Sequence, residues 1–398
     1  HNRDEYNFIR IEDAKSYPLD SNTDNKYTRA AHALQQFVEQ KILVSEKKPA
    51  IYLHDHFFKI AGKEMMRRGI VARVRLEEWE KGIIKPHEGI LAAAKDDRLN
   101  LLWALQVNTS PILAMYQDDG NKLAKLLDEQ KSGEAAINAL MPDGERHQVR
   151  LITDREIIKQ ISAHFTKVPL YIADGHHRYT SALTYKREKF ACTPDASPDD
   201  ALNFVMMNLV SFNDPGMVIL APHRLLRGLE HEAVATLKSR LVDFFDIEDL
   251  PLQKKTVWDE VDKLMNKPGT VRFACQISGN DYVSVLSLKP NAINTQTMPL
   301  FHSEIYRKLD VSIIDHVILE KIIGLGIGGK TEPRINFEHD RAAAINGITH
   351  GEYQVAFYVK PVKPELIKEF ADAGEKMPRK STYFYPKAPA GLVVNTLY

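Results

Sequence analysis

The chain has 398 residues, and its 53 lysine and arginine residues equal its 53 aspartate and glutamate residues. Without net charge, the chain lacks the broad field that attracts nucleic acids or anionic membranes, so DNA binding would need a local basic patch. Its length favours two domains, and its two cysteines are too few for a disulfide framework. No run of about 18 apolar residues occurs, so we predict no transmembrane helix. The cysteine usage fits a cytoplasmic protein best.

The first half of the chain alternates predicted strands with predicted helices. Strands are predicted from period-two alternation or short apolar runs, and helices from apolar spacing of three and four residues. The predicted strands are 50–58, 70–76, 111–116 and 146–153, and the predicted helices are 28–43, 123–130 and 154–165. Asp154 is the predicted N-cap of the last helix. This alternation favours an α/β core in a first domain, residues 1–190.

The loop 191–200 is the predicted domain boundary. Strands dominate beyond it, so we predict a second, α+β domain of mostly antiparallel strands over residues 200–398. The predicted elements are strands at 203–212, 217–226, 271–278, 282–288 and 353–359 and a long helix around 312–324. The tail, about 371–398, has too many aromatic and apolar residues for a solvated tail. We therefore expect it to dock back toward the site in the first domain.

The strongest functional signal is a predicted strand–turn–helix corner at Asp174. A helix N-terminus favours anions, because its first-turn amides lack partners and its dipole is positive there. Arg178 adds a forked cation, His176 and His177 add donors, and Gly175 lets the backbone approach a ligand. Asp174 would bind magnesium or orient a histidine. The alternative is an N-cap by Asp174 followed by surface side chains.

Two further motifs carry weaker predictions. Residues 324–331 match the phosphate-binding pattern G-x-x-x-x-G-K-[ST], but a helical pattern precedes them and Pro333 follows, whereas a P-loop needs a strand before it and a helix after it. A Gly-rich helix terminus or hinge is therefore favoured there. His54 and His56 share one face of the predicted strand 50–58, a spacing that a metal could use, but the sequence shows no third ligand nearby.

The chain resembles the uncharacterised family catalogued as domain of unknown function 1015. The matching segments are IKPHEG at 84–89, KDDR at 95–98, LYIADGHHR at 170–178, INF at 335–337, the run 371–387 and GLVV at 391–394. The resemblance implies that an N-terminal segment usual in the family is missing here. Two positions differ from the family pattern, with Arg379 in place of a second proline and Tyr385 in place of an acid.

The first half also resembles the ParB/sulfiredoxin superfamily, whose members bind nucleotide phosphates at such a corner. Over residues 80–185 the chain is similar to free-serine kinases, which pair a Pro-His-Glu segment with an Asp-Gly-His-His-Arg segment. Histidine stands where sulfiredoxins have a catalytic cysteine, which excludes their chemistry. The resemblance implies a ParB/sulfiredoxin-like α/β core that binds ATP or ADP with Mg²⁺.

Residue roles follow from this resemblance. Glu88 would be the catalytic base, with His87 beside it, and the corner would hold phosphates, with Asp174 binding the metal. The residues implied to bind substrate or to close over it are Lys95, Arg98, Ser110, Lys380 and Ser381. A solvated loop pair is the alternative for His87 and Glu88, and an exposed helix face is the alternative for Lys95 and Arg98.

Three functions stay open at this point. The first is a kinase that phosphorylates the hydroxyl of a small amino acid, most readily serine, with ATP or ADP. The second is a phosphatase that acts on a phosphorylated amino acid such as phosphoserine. The third is a non-catalytic nucleotide-binding switch or scaffold, and nucleic-acid binding is the least favoured of its forms. The oligomeric state is open, with a homo-oligomer as one option.

Overall fold

The structure is a computed structural model that describes residues 4–192, 197–293, 297–298, 302–326 and 332–398. The chain divides into two compact units, of which the first is His1–Val218 with Pro386–Tyr398 and the second is Ile219–Tyr385. Both units combine helices with mostly antiparallel strands, which confirms the predicted α+β class. In the described part of the chain, none of the helices is both long and apolar enough to span a bilayer.

The first unit has helices α1–α6 and strands β1–β9 in its described residues before Val218. The helices are Ile9–Glu12, Lys26–Glu39, Ala92–Leu105, Lys122–Glu129, Arg155–Phe165 and His176–Cys192. The strands are Ile51–Ile60, Lys63–Arg75, Ile84–Lys85, Val107–Asn108, Ile112–Tyr116, Ile137–Leu140, Arg146–Ile152, Leu170–Asp174 and Phe204–Ser211. Asp154 caps α5 as predicted, because its side chain accepts the Glu156 and Ile157 amides at 2.8 and 3.1 Å.

Eight of these strands form one sheet in the order β3-β8-β5-β9-β2-β1-β7-β6. β3 runs parallel to β8, with Ile84 opposite Leu170, so both strands leave the sheet at the same edge. β5 runs antiparallel to β8, with Leu113 opposite Asp174, so the segment before β5 reaches that edge too. The topology therefore brings three distant loops together, namely those after β3, before β5 and after β8.

β8 is fixed in position by its burial. The side chains from Leu170 to Ala173 are each at most 4% exposed, and Tyr179 and Leu183 of α6 join Leu170 and Ile172 in the same core. Burial of a large apolar side chain contributes about 1.5–3 kcal/mol, so this apolar run holds the polar residues that follow it.

The strand 203–212, which the sequence analysis assigned to the second domain, lies in the sheet of the first unit. It is β9, and it pairs antiparallel with β2 and parallel with β5. The predicted boundary 191–200 begins inside α6, and both α6 and β9 belong to the first unit. The end of the chain also belongs to this unit, because a last strand, Asn395–Thr396, pairs with β4.

The second unit has strands β10–β17 and helices α7–α13 among its described residues. Its first strand begins at Val218, one residue before the unit itself begins. The strands are Val218–Leu220, His223–Leu226, Phe245–Pro251, Arg272–Ile277, Tyr282–Leu288, Ile335–Glu338, Val355–Tyr358 and Tyr383–Tyr385. The helices are His231–Ala235, Leu237–Leu241, Val257–Met265, Glu304–Arg307, Asp310–Ile313, Arg341–Thr349 and Pro364–Asp372. Six strands form an antiparallel sheet in the order β12-β14-β13-β16-β11-β15.

A π-helix, Ile314–Ile323, ends at Gly324, where the phosphate-binding pattern 324–331 begins. The segment before that pattern is therefore helical, as the sequence analysis predicted, and not the strand that a P-loop needs. Residues 327–331 of the pattern lie outside the described residues.

Candidate functional site

The chain turns from β8 into α6 at Gly175, and residues Asp174–Arg178 are called the corner below. The φ of Gly175 is +98°, which favours glycine, and a Cβ there would lie 3.1 Å from the guanidinium group of Arg178. The strand and the helix lie where the sequence predicts them, with His176 as the first helical residue. The corner thus presents a helix N-terminus, which favours anions.

The carboxylate of Asp174 lies between two cations. Its Oδ2 accepts from Arg178 Nη2 at 3.0 Å, and its Oδ1 accepts from Lys387 Nζ at 2.8 Å. Burial by itself would raise the pKa of Asp174, but the charges of Arg178 and Lys387 outweigh it and lower the pKa to about 2. Asp174 is therefore ionised at neutral pH.

Arg178 connects the corner with the segment before β5. Its Nη1 donates to Ser110 Oγ at 2.9 Å and to the Pro111 carbonyl at 2.6 Å, while its Nη2 is held by Asp174. These contacts fix the plane of the guanidinium group. The structure therefore brings the predicted residue Ser110 into contact with the corner.

His176 and His177 bind the loop that follows β3. His176 Nε2 accepts the backbone amide of His87 at 3.4 Å, and His177 Nε2 accepts the amide of Leu91 at 2.9 Å. Each Nε2 is therefore an acceptor, so the ring proton of a neutral imidazole is on Nδ1. The two histidines fasten the loop 86–91 to the first turn of α6.

His87 is a buried part of this attachment. Its side chain is 1% exposed, and its Nδ1 donates to the Ile172 carbonyl at 2.8 Å. Burial lowers the pKa of His87 to about 4, so it is neutral at physiological pH. Glu88 is partly exposed. In the sequence it lies between His87 and Leu91, the two residues whose backbone amides bind the histidines of the corner. His87 therefore holds the loop, in which Glu88 is the next residue, and the role of Glu88 as catalytic base stays a prediction.

A cavity of about 40 Å³ lies next to Arg178, and Glu12, Arg98 and Ser110 also line it. Arg98 Nη1 donates to Glu12 Oε1 at 3.2 Å, and Ser110 Oγ donates to the same oxygen at 3.1 Å. The second oxygen of Glu12, Oε2, is buried and has no hydrogen-bond partner. An unsatisfied buried acceptor of this kind calls for a donor. Arg98 and Ser110, both predicted from the sequence, thus meet at one cavity.

Lys95 does not line this cavity. Its Nζ lies 3.5 Å from the Asp96 carboxylate, while its backbone carbonyl accepts from Ser181 Oγ of α6 at 2.8 Å. The role of Lys95 in substrate binding stays a prediction.

Lys380 and Ser381 belong to the second unit. Ser381 is buried, and its Oγ donates to the Pro378 carbonyl at 2.6 Å, while Lys380 has a φ of +57°. Their predicted role in closing over the substrate stays a prediction. The later part of the tail, Pro386–Tyr398, lies in the first unit and supplies Lys387 to the corner.

Sequence reasoning missed Glu12 and Lys387. Glu12 ends the four-residue helix α1 in a polar, irregular stretch, and Lys387 lies 213 residues after its partner Asp174. Lys387 ends the family-matching run 371–387, but that pattern does not reveal its partner, and Glu12 is part of no local pattern, so only the fold could reveal these contacts. A third missed residue, Arg67, is described with the histidines below.

The family model described as "Protein of unknown function (DUF1015)" matches residues 1–312, so the chain belongs to that family. No curated protein matches the chain.

Solved structures similar to this chain include a free serine kinase in complex with AMP, at 13% identity and a TM-score of 0.35, covering 79% of this chain and 86% of that one. A conserved hypothetical protein from Pyrococcus furiosus matches at 13% identity and a TM-score of 0.36, covering 81% and 94%. SbnI with a C-terminal truncation, from Staphylococcus aureus, matches at 12% identity and a TM-score of 0.36, covering 80% and 84%. Similarity at this level does not define a function.

Proposed function

We propose that the protein is a phosphoryl-transfer enzyme that phosphorylates the hydroxyl of a small amino acid, with serine as the first candidate and ATP or ADP as the donor. The observation that carries this proposal is the attachment of the loop 86–91 to the corner through His176 and His177. Glu88 belongs to this loop, and the loop is held against a helix N-terminus, which favours phosphate. A base next to a phosphate site is what hydroxyl phosphorylation requires.

The cavity next to Arg178 supplies a site for the amino acid. The guanidinium group of Arg98 suits the substrate carboxylate, and the unpaired Oε2 of Glu12 suits the α-ammonium group. Through Ser110 and Arg178 this cavity is joined directly to the corner.

The reaction that this arrangement supports is an in-line displacement. Glu88 accepts the proton of the substrate hydroxyl, and the hydroxyl oxygen forms a bond to the terminal phosphorus of the nucleotide. The bond between that phosphorus and the bridging oxygen breaks, and the shortened nucleotide leaves. Asp174 would hold Mg²⁺, which neutralises the phosphate charge, in place of one of its present cations.

Phosphorus NMR of the full chain tests this proposal. One sample contains Mg²⁺, ATP or ADP, and serine, and a second contains Mg²⁺ and phosphoserine alone. We expect new phosphoserine in the first sample and its loss in the Glu88→Gln variant. Glu134→Gln is the matched control, because Glu134 is an exposed residue of the same unit, and it should behave like the unaltered protein.

The second sample separates the kinase from a phosphatase. Inorganic phosphate released from phosphoserine without nucleotide would show that the enzyme is a phosphatase and would overturn the kinase proposal. Nucleotide binding without turnover in either sample would show a binding module instead.

A further inference from the structure

Three histidines and a glutamate meet on one face of the paired strands β1 and β7, and they are called the histidine cluster below. The antiparallel register places His56 opposite His147. His54 lies two residues from His56, and Glu145 lies two residues from His147, so all four side chains share a face. The sequence analysis considered His54 and His56 as metal ligands but found no third ligand. The pairing of β1 with β7 brings in His147 and Glu145.

The cluster contains one nitrogen that nothing in the described structure satisfies. His56 Nε2 is 2.7 Å from Glu145 Oε2, and His54 Nε2 is 3.0 Å from His147 Nδ1. His147 has no exposed surface, and its Nε2 has no hydrogen-bond partner. Buried polar atoms are normally paired, so this nitrogen calls for a ligand.

We propose that His56, Glu145 and His147 bind a divalent transition-metal ion of the zinc class. One ligand atom from each of the three residues lies within 4.8 Å of the others. In a tetrahedral zinc site such atoms are about 3.4 Å apart, because each lies about 2.0–2.2 Å from the ion. Side-chain movements of roughly 1 Å therefore bring the three ligand atoms to the spacing of a zinc site.

The chemistry of the donors selects the metal. Two imidazole nitrogens and one carboxylate oxygen suit Zn²⁺, whereas Mg²⁺ prefers oxygen ligands alone. His54 adds the outer contact that metal-binding histidines usually have, since it holds His147 Nδ1 while Nε2 faces the metal. Three protein ligands leave a fourth position for water or another small ligand.

Arg67 is a cation beside the proposed metal site, and its contact with His56 determines which ring nitrogen of His56 carries the proton. Its guanidinium group lies 3.3 Å from His56 Nδ1 and donates to the Pro386 carbonyl at 2.8 Å. In the metal-free cluster His56 therefore carries its proton on Nε2 and donates it to Glu145. When Nε2 binds the metal, that proton moves to Nδ1, so the contact with Arg67 is lost while the bond to Pro386 can remain.

Titration of Zn²⁺ into the full chain, after removal of metal with EDTA, tests the proposal by calorimetry. We expect one equivalent to bind, and we expect Co²⁺ to give the visible bands of a tetrahedral site. Glu145→Gln should weaken Zn²⁺ binding by about tenfold or more, and His147→Gln should weaken it further. Both substitutions introduce a polar side chain of similar volume, and circular dichroism checks that each variant is folded.

The matched control is His32→Ala, because His32 is an exposed histidine of the same unit, and its Zn²⁺ affinity should equal that of the unaltered protein. Zn²⁺ binding that is equally tight in the folded His147→Gln and Glu145→Gln variants would overturn the proposal. So would the absence of a stoichiometric binding step in the unaltered protein. Neither result depends on nucleotide or serine, so the metal site and the proposed kinase activity are tested separately.

Discussion

The corner and the histidine cluster are both polar sites of the first unit, but they differ in their electrostatics. The corner holds an ionised carboxylate, because Arg178 and Lys387 lower the pKa of Asp174 to about 2 against the effect of burial. The cluster holds neutral imidazoles, because burial lowers the pKa of His54 to about 3 and that of His147 to about 4. The corner therefore consists of ionised side chains that pair with one another, whereas the cluster offers neutral nitrogens of the kind that a metal ion binds.

Among single substitutions, the largest effect on stability is expected from Gly175→Ala, which changes the corner and leaves the cluster unaltered. A side chain at a φ of +98° is strained, and the new Cβ would press on the Arg178 guanidinium group. We expect the free energy of unfolding to fall by about 2 kcal/mol, measured by urea denaturation. Binding of Zn²⁺ to the cluster should not change.

Gly133→Ala is the control for this substitution. Gly133 has a φ of −86°, and a Cβ there would meet nothing within 4 Å, so its effect should be within about 0.5 kcal/mol. Equal effects of the two substitutions would contradict the conformational role of Gly175.

As the pH falls, the cluster should lose its contribution to the free energy of unfolding at a higher pH than the corner does. The pKa values of His54 and His147 are below the ordinary 6.5, so the unfolded chain binds protons that the folded metal-free protein does not. Their contribution to stability is complete above about pH 6.5 and is lost as the pH falls toward their folded-state values. Asp174 has a lowered pKa, so its contribution is lost only between about pH 4 and pH 2.

Denaturation with urea at pH 7 and pH 5, in the presence of EDTA, measures this difference. We expect each buried histidine to contribute a loss of about 1–2 kcal/mol between these pH values. His147→Gln should reduce the loss, while His87 continues to contribute in both proteins. If the free energy of unfolding falls by the same amount in His147→Gln as in the unaltered protein, the cluster is already protonated in the folded state.

Lys387→Met should have a smaller effect, confined to the corner. Loss of this cation removes one of the charges that lower the pKa of Asp174, so that pKa should rise. We expect a loss of stability below about 1 kcal/mol, because the Asp174 side chain is 35% exposed and solvent screens the pair. An NMR titration of the Asp174 carboxyl carbon measures the pKa. Lys125→Met, at an exposed position, is the control and should leave the pKa of Asp174 unchanged. If that pKa does not rise in Lys387→Met, Lys387 does not pair with Asp174 in solution.

Arg67→Met is expected to give the smallest effect, and it sharpens the account of the cluster. Removal of a cation beside His56 should strengthen Zn²⁺ binding by about threefold, since like charges repel in a buried site. A calorimetric titration measures the change. A weaker affinity in a folded Arg67→Met variant would show that Arg67 supports the metal site.

The corner could be predicted from the sequence because its residues are contiguous. An apolar run, a glycine and a polar first turn determine a strand, a turn and a helix locally, and the structure has all three. The attachment of the loop 86–91 could not be predicted in the same way. It depends on the parallel pairing of β3 with β8, which places His87 beside His176 across 89 residues.

The cluster shows where sequence reasoning ends. His54 and His56 share a face by the period of a strand, which the sequence reveals, but His147 lies 93 residues after His54. Only the register of β1 with β7 places it there, and a shift of one residue would turn it to the other face. The composition of residues 191–200 is typical of a domain linker, yet α6 and β9, the elements before and after it, both belong to the first unit.

The central claim is that Glu88 is the base of a phosphoryl transfer whose phosphates bind at the corner. The most direct measurement compares phosphoserine formation in a single turnover with ADP affinity by calorimetry, using the same preparations of the unaltered protein and Glu88→Gln. The account predicts ADP affinity within about twofold and phosphoserine formation slower by about 100-fold or more in Glu88→Gln. Phosphoserine formed at the same rate by both proteins would contradict it.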